Sequence, residues 1–566
     1  MELTGKTTGI FLKENASRLK NNTAIEYGSW KCSWAELDEV TDLLAARFMS
    51  LYGIHTGSHV GIWSLNSPAF VQTVLALYKI GAVAVVFNTA NSVDEMADQL
   101  ELSDTSILFY GPGSRGCIFD QMIPAIRKKA PGVQRFIHIE EKEAENWLMP
   151  SSFTAEERRN LPVDQVACIL KDLPADSPAC IIFTSGTTSR PKAVVLTHYG
   201  IVNVNLRMKK WMRWNESDKA IIAVSLYHGF GLNAGLGISV VAGMTMHVVP
   251  SFRTGDVWDA IDKYRCTVML GVPSMYLALV RKAGNEKYDE SALRSGLVGG
   301  SVISTEEYRE ICRRFPKMHL VPSFGMTEAS TASSFSDYDD PLRSGGVSGG
   351  EFFEDTMARI RDLATGEIVG WTKAAAALYN GEAHGRSGEL ELAGFNLFKE
   401  YYKNPEATAE AYTEDGWLKT GDVGYINDYD EICLTGRKKE LIIRSGENIS
   451  PREIEEAILE SGMSSQVKVV GVPSEYTQEE ICACLVPADA ASFDASALVR
   501  FLRKKLSYFK VPKYILCFSE LPMTASGKIK IGQLKETAAG YVTQAEALEV
   551  ITDSSKGKYY FRDVTC

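Results

Sequence analysis

The chain has no apolar run long enough to cross a membrane. Its purest ones, Ala82 to Phe87 and Ile221 to Val224, fall far short of the roughly 18 residues a spanning helix needs. It has no CxxC pair: eleven cysteines are scattered from Cys32 to Cys566, and the nearest two are Cys482 and Cys484. That scatter points to buried reduced thiols rather than a disulfide framework, and no His or Cys spacing suits a metal. Positive charge is in deficit, with 60 Lys and Arg against 71 Asp and Glu and a formal net charge of −11. No global field therefore draws nucleic acid or anionic lipid. The first twenty residues mix Lys6, Lys13, Glu14, Arg18 and Lys20 with isolated apolar side chains, which is not the order of a secretory leader. The closing Val-Thr-Cys is neither a peroxisomal address nor a prenylation box. A cytoplasmic protein without an integral membrane segment is the expectation.

What is present is globular: 566 residues, 45% hydrophobic and 23% charged, enough for several domains. Apolar positions Leu37, Val40, Leu43, Leu44, Ala46 and Phe48 share a helix face, Val60 to Trp63 reads as a buried strand, and Ala69 to Tyr78 is helical again. Strand patterns continue at Gly81 to Phe87, Ile107 to Phe109, Ala179 to Phe183, Ile221 to Ser225, Met244 to Val249, Thr267 to Leu270 and Leu320 to Ser323. Strands alternating with helices predict parallel sheets covered on both faces. The class is therefore α/β.

Near residue 385 the texture changes. Gly388 to Leu392, Tyr425-Ile426 and Glu431 to Leu434 read as short antiparallel strands. A compact α+β pattern follows, with Leu441 to Ile443, a helix around Glu453 to Glu460, and strands at Val467 to Val472 and Ile481 to Val486. The boundary is placed at Arg437 to Lys439. The Ala-rich Gly366 to Gly385 is a helix-containing insertion or a loop, and Gln544 to Val550 reads as helix.

One stretch carries most of the chemistry, IIFTSGTTSRPKAVVLTH from Ile181 to His198. A buried strand runs into Thr184, Ser185, Gly186, Thr187 and Thr188, followed by Arg190 and Lys192. Hydroxyls, backbone N–H groups and two cations after a strand suit a polyphosphate. The loop is not Walker A, since it lacks the second Gly and the final Ser or Thr. Gly229 to Ala234 fits GxGxxA and Gly346 to Gly350 fits GxSxG, but neither has the flanking elements its function needs. His228 and His384 read equally as satisfied structural histidines. Further polar clusters follow at Ser323 to Glu328, Asp415 to Asp422, Gly436 to Lys439, Ser445 to Pro451 and Pro522 to Lys528. An acid ending a strand, such as Asp422, can accept both ribose hydroxyls. A carboxylate such as Glu328 beside a phosphate nest suits Mg²⁺.

In this order and spacing the clusters resemble the adenylate-forming superfamily: acyl-CoA synthetases, peptide-synthetase adenylation domains and luciferases. The likeness runs from Ser33-Trp34-Ala35-Glu36-Leu37 to Lys528 and is nearest to the acyl-CoA ligases. It implies a large N-terminal domain of α/β subdomains with a small β-rich subdomain (1–437), a hinge (438–439), and a small mobile α+β lid with an extended tail (440–566).

The resemblance also implies roles. Thr184, Ser185, Gly186, Thr187, Thr188 and Lys192 match the phosphate loop, and Tyr227 to Gly231, with His228, matches the wall of the acyl pocket. Gly299, Gly300, Ser323, Phe324, Gly325 and Met326 match segments lining the adenine and acyl sites. Thr327 falls at the α-phosphate, Glu328 at Mg²⁺, Asp422 and Arg437 at the ribose, and Lys439 at the hinge. Lys528 matches the lid lysine that bridges the carboxylate and the α-phosphate. Ser445, Gly446 and Glu447 match the loop facing the site during thioester formation. The implied reaction is ATP-dependent activation of a fatty or aryl acid to an acyl-adenylate with loss of pyrophosphate, then transfer to CoA with loss of AMP. Two alternatives stay open: a carrier-protein thiol as acceptor, and a non-catalytic nucleotide-binding regulator. The oligomeric state is open too.

The sequence departs from the family's pattern in places. Ser189 and Ala193 stand where the phosphate loop usually has glycines, Phe324 stands for a common Tyr, Gly349 to Gly385 matches poorly, and the tail after Lys528 is long.

Overall fold

The computed structural model describes residues 2–114, 117–139, 153–184, 191–283, 288–379, 381, 384–444, 447–474, 477–523, 529–543, 549–553 and 557–564. The fold is mixed α/β, with a large N-terminal and a small C-terminal domain. By compactness the chain forms two units, Met1–Met357 with Leu392–Leu418, and Ala358–Glu391 with Lys419–Cys566.

The larger unit is built on two mostly parallel sheets. In one, the neighbours run Glu400–Tyr401, Lys192–Thr197, Pro178–Thr184, Val83–Val86, His59–Trp63, Ile107–Tyr110 and Arg135–His138. The other includes Thr23–Tyr27, Thr245–Val248, Lys219–Ile222, Val268–Gly271, Ser295–Val298 and His319–Phe324, all pairing in parallel. Thr23–Tyr27, Arg135–His138, Lys192–Thr197, Ser295–Val298 and Glu400–Tyr401 come in addition to the expected strands. The expected ones lie within one or two residues of their places because they are short and almost wholly buried. The exception is Ile221 to Ser225: the strand ends at Ile222, where the chain turns toward Tyr227 and His228.

The helices obey their periodicity. Trp34–Tyr52 starts at a Ser33/Glu36 capping box, stops at Gly53 with φ +66°, and buries Leu37, Val40, Leu43, Leu44, Ala46 and Phe48 as the spacing predicts. Pro68–Lys79 is buried on every side between layers. Even Lys79 is fully buried, where Asp38 and Asp42 each meet its ammonium at 2.6 Å; a buried cation persists only when paired in this way.

In the smaller unit Leu418–Ile426 and Glu431–Arg437 pair antiparallel, and Asp422 sits opposite Arg437. A second sheet centres on Gln478–Pro487, whose side chains alternate between two cores. Ile481, Ala483 and Leu485 face Ile454, Ile458, Leu498 and Leu502, while Cys482 and Cys484 join Leu534 and Ala538. The Cys-Ala-Cys spacing is thus a strand period, and both thiols are free and buried.

Of two further parts of this unit, the Ala-rich insertion contains a helix, as one of its two readings expects, and the tail differs from its reading. The Ala-rich insertion is a strand, Ile368–Trp371, a helix, Lys373–Tyr379, and a return strand, His384–Gly385. In the tail, 544–548 lie outside the described residues, and Glu549–Asp553 is a strand rather than helix. It pairs with Gly557–Asp563, which in turn adds in parallel to Tyr514–Cys517. Val550, Ile551 and Thr552 favour that outcome once a sheet edge is on offer.

The compact units do not divide at 437–439. The turn after Arg437 is tied to the strands before it: Lys438 N–H reaches Gly421 O at 2.9 Å and Lys438 Nζ meets Glu389 at 2.6 Å. Ser450 Oγ and the Arg452 guanidinium donate to the carbonyls of Thr435 and Leu434.

Candidate active site

The strands Ser295–Val298 and His319–Phe324 run in parallel, with Val298 opposite Pro322. Their carboxyl ends carry Gly299-Gly300 and Ser323-Phe324-Gly325, and the crevice beyond such ends is where open α/β sheets bind ligands. A Cβ on Gly299 would stand 2.5 Å from Ser323 Oγ, so glycine lets the two ends touch. Phe324 is buried edge-on to Phe352, its hydrocarbon ring taking the place of the family's common Tyr.

Beyond Gly325 the chain folds into a tight turn. Met326 leads into a single 3₁₀ turn, Thr327–Ala329, and then Ser330 and Thr331 adopt φ of 53° and 91°. A β-branched residue at positive φ is strained. Three hydrogen bonds hold the turn: Thr331 N–H to Met326 O, Ser333 N–H to Phe324 O, both 3.0 Å, and Asn233 Nδ2 to Thr331 Oγ1, 3.2 Å. Gly325 makes room for it, since a Cβ there would fall 1.9 Å from Thr331 O. The result presents Thr327 and Glu328, both half-buried, at the strand ends.

The cation comes from the other sheet. Pro178–Thr184 turns back as Lys192–Thr197 with Lys192 opposite Thr184. Ser185, Gly186, Thr187 and Thr188, expected in the phosphate loop, lie outside the described residues, as do Ser189 and Arg190. Glu400–Tyr401 pairs alongside, Tyr401 opposite Val194. This pairing brings Tyr401 between the two charges: its hydroxyl donates to Glu328 Oε1 at 2.8 Å, and Lys192 Nζ stands 4.4 Å from its ring centre. Burial and then the Glu328 charge push the Tyr401 phenol up, so it stays a donor. The same two causes raise Tyr412 to about 12. Periodicity offers no sign of Tyr401, which is 73 residues from its carboxylate partner.

His228 is half-buried beside Tyr227, just before the short helix Gly229–Gly231 and a π-helical stretch, Leu232–Gly237. A Cβ on Gly229 would lie 2.7 Å from Thr331 Oγ1, so the His228 segment adjoins the Glu328 turn. His198, which opens the helix after the Lys192 strand, is fully buried against Tyr78, and burial holds its imidazole down at about 4.

The larger unit thus gathers Thr184, Lys192, Gly299, Gly300, Ser323 to Glu328 and the His228 segment. In the smaller unit Asp422 is buried and Arg437 Nε meets its Oδ1 at 2.6 Å, while Lys439 is exposed in the turn that follows. Glu447 opens the strand Glu447–Ile449. Ser445, Gly446 and Lys528 lie outside the described residues.

The chain is similar to known proteins. The AMP-binding enzyme family model matches residues 12–402, and the model of the AMP-binding enzyme C-terminal domain matches 453–528. A putative acyl-CoA synthetase of Bacillus subtilis (strain 168), YngI, is 31% identical over 561 residues, spanning 94% of this chain and 97% of its own. The Homo sapiens medium-chain acyl-CoA ligase ACSF2, mitochondrial, is 29% identical over 94% of this chain and 88% of its own. The crystal structure of the anthranilate CoA ligase AuaEII with anthranoyl-AMP superposes with a TM-score of 0.80 at 19% identity, over 96% of this chain and 99% of that one. That last likeness is one of fold alone.

The chain belongs to the AMP-binding enzymes, the adenylate-forming family. Within it, this protein is an ATP-dependent, AMP-forming acid–CoA ligase.

Proposed function

We propose that the acid is apolar, a medium-chain fatty acid before an aryl acid, and that the residues gathered at the strand ends activate it. The observation that carries the reading is the convergence of Lys192, Tyr401 and Glu328. Cation, carboxylate and open strand ends together suit a polyphosphate lying next to an acid. The apolar preference is supported by Phe230 and Val272, which pack on the larger unit's main apolar cluster, and by the medium-chain name of the ACSF2 relative.

The acid's carboxylate attacks the α-phosphorus of ATP, pyrophosphate leaves, and a mixed anhydride results. The CoA thiol then attacks its acyl carbon and AMP leaves. Two anions must meet in the first step, so preorganised cations and donors lower its barrier. Thr184 to Thr188 and Lys192 cradle the outer phosphates, Thr327 donates near the α-phosphate, and Asp422 and Arg437 hold the ribose. His228 walls the acid, and Lys528 bridges carboxylate and α-phosphate.

Mg²⁺ fits the donor set. Among the described residues there is no group of three or more His, Cys, Asp or Glu that would cage an ion, and Mg²⁺ typically binds through one or two carboxylates plus substrate phosphates. Glu328 would hold it, and bound there it would supply charge neutralisation on the phosphates. After adenylation the 440–566 region turns about Lys438-Lys439, withdrawing Lys528 and presenting Ser445, Gly446 and Glu447 for thioester formation.

The cytoplasm suits buried thiols such as those of Cys32, Cys180, Cys266, Cys482 and Cys484. Among the described residues no helix is long and apolar enough to cross a membrane.

Pyrophosphate release with ATP, Mg²⁺ and a panel of straight-chain and aryl acids, with and without CoA, tests the reading. Preference for medium straight chains, with acyl-CoA formed only when CoA is present, is expected. Turnover confined to polar diacids overturns the acid class.

A further inference from the structure

We propose that Tyr401 is a positioning residue for the metal–ATP end of the reaction, its hydroxyl aiming the Glu328 carboxylate and its ring face holding the Lys192 ammonium. The inference rests on the reading above, in which Glu328 serves Mg²⁺ and Lys192 serves the phosphates.

The stretch around Tyr401 grips Glu328 at two points. Phe398 N–H donates to Glu328 O at 2.7 Å, and the Tyr401 hydroxyl donates to Oε1 at 2.8 Å. Main chain and side chain of one acid are therefore fixed by residues three apart. Tyr401 is itself immobilised. It pairs with Val194 in the sheet, its N–H reaches Thr408 Oγ1 at 3.0 Å, and its carbonyl accepts from Asn404 N–H at 3.0 Å. Asn404 also caps the helix Pro405–Ala411 through Ala407 N–H. The Phe398 ring lies 4.7 Å from that of Tyr401 and stacks on Tyr412, leaving the phenol only 6% exposed.

A phenol is suited to this place for a chemical reason. It donates to a carboxylate without neutralising it, so the negative charge remains for a divalent cation, whereas an Arg or Lys would form an ion pair that competes with the metal. Its electron-rich face meanwhile attracts the ammonium from the side, so one ring spaces a cation and an anion that would otherwise collapse on each other. Partners that orient a metal-binding carboxylate typically change metal affinity by 10- to 100-fold when removed.

Separate substitutions divide the two duties. Tyr401→Phe keeps the ring and loses the hydroxyl; Tyr401→Leu loses both. Tyr402→Phe is the control, because its hydroxyl donates to Asp104 at the surface. The readouts are the Mg²⁺ concentration giving half-maximal pyrophosphate release, Mn²⁺ binding to the enzyme–ATP complex by electron paramagnetic resonance, and the KM for ATP. Tyr401→Phe is expected to raise the Mg²⁺ requirement and weaken Mn²⁺ binding by about tenfold or more, with the KM for the acid and the melting temperature little changed. Tyr401→Leu should add a rise in the KM for ATP.

Unchanged metal binding in Tyr401→Phe overturns the proposal, as does an equal effect in Tyr402→Phe or a loss of melting temperature without any change in metal dependence. Glu328→Gln separates the two readings. If it too leaves metal binding unchanged, the assignment of Glu328 falls; if it alone abolishes it, only the role of Tyr401 falls.

Discussion

Glu328 in the larger unit stands just past a strand end, whereas Asp422 in the smaller lies in the middle of Leu418–Ile426 rather than at the strand end expected for it, and the two acids are held differently. A neutral phenol holds Glu328, whereas a guanidinium holds Asp422 at 2.6 Å across an antiparallel ladder. The first arrangement preserves a negative charge, and the second compensates it. A preserved charge suits a cation that joins the reaction, while a compensated acid still accepts hydrogen bonds from uncharged hydroxyls such as those of a ribose. The difference predicts that one acid serves the chemical step and the other serves binding.

The largest expected effect comes from Glu328→Gln, which keeps the shape and removes the charge. Adenylation should fall by about a hundredfold or more, with kcat and kcat/KM falling together, as measured by pyrophosphate release. A rise in KM alone would break the comparison, since that signature belongs to uniform binding.

A stability effect of about 3 kcal/mol tests the wall behind Glu328. His198, two residues from the Gly200–Ser330 approach, is held near 4 by burial against an ordinary 6.5. Between those values the unfolded chain binds the extra proton and the folded one does not, so stability is full above pH 6.5 and is lost as pH falls toward about 4. Thermal melts across that window should fall less steeply in His198→Phe than in the parent. Equal slopes would remove His198 as the cause.

The smallest of the three is Asp422→Asn, which leaves the shape but weakens acceptance and unpairs the guanidinium. The KM for ATP should rise about tenfold, the low end of the worth of one charged hydrogen bond, with kcat nearly kept. A collapse of kcat instead would place Asp422 in the chemical step and erase the distinction from Glu328.

Much of the fold was legible because local patterns carry it. The Leu37 to Phe48 stripe requires a helix of period 3.6, and Ile481 to Leu485 alternates as a strand between two cores must. The tail was misread as helix because Glu549–Asp553 pairs with Gly557–Asp563, and only the latter reaches Tyr514–Cys517, so the hairpin is anchored by a strand that no local window contains. At the candidate site, Lys192, Glu328 and Asp422 stand out in the sequence because stretches rich in Thr, Gly and charge interrupt the apolar patterns. Tyr401 and Gly325 were not. The first acts through a partner 73 residues away, and the second matters only because Thr331 O passes within 1.9 Å of where its Cβ would be.

The order of polar clusters from Thr184 to Lys528, and with it the family and the reaction, was determined by the sequence alone. Residue type and order along the chain are enough to carry the resemblance to the adenylate-forming family, because its motifs are short and local. Which acid keeps its charge was decided only in three dimensions. Charge compensation depends on distance, and the neighbours that set it, Tyr401 for Glu328 and Arg437 for Asp422, are brought near by sheet pairing rather than by sequence.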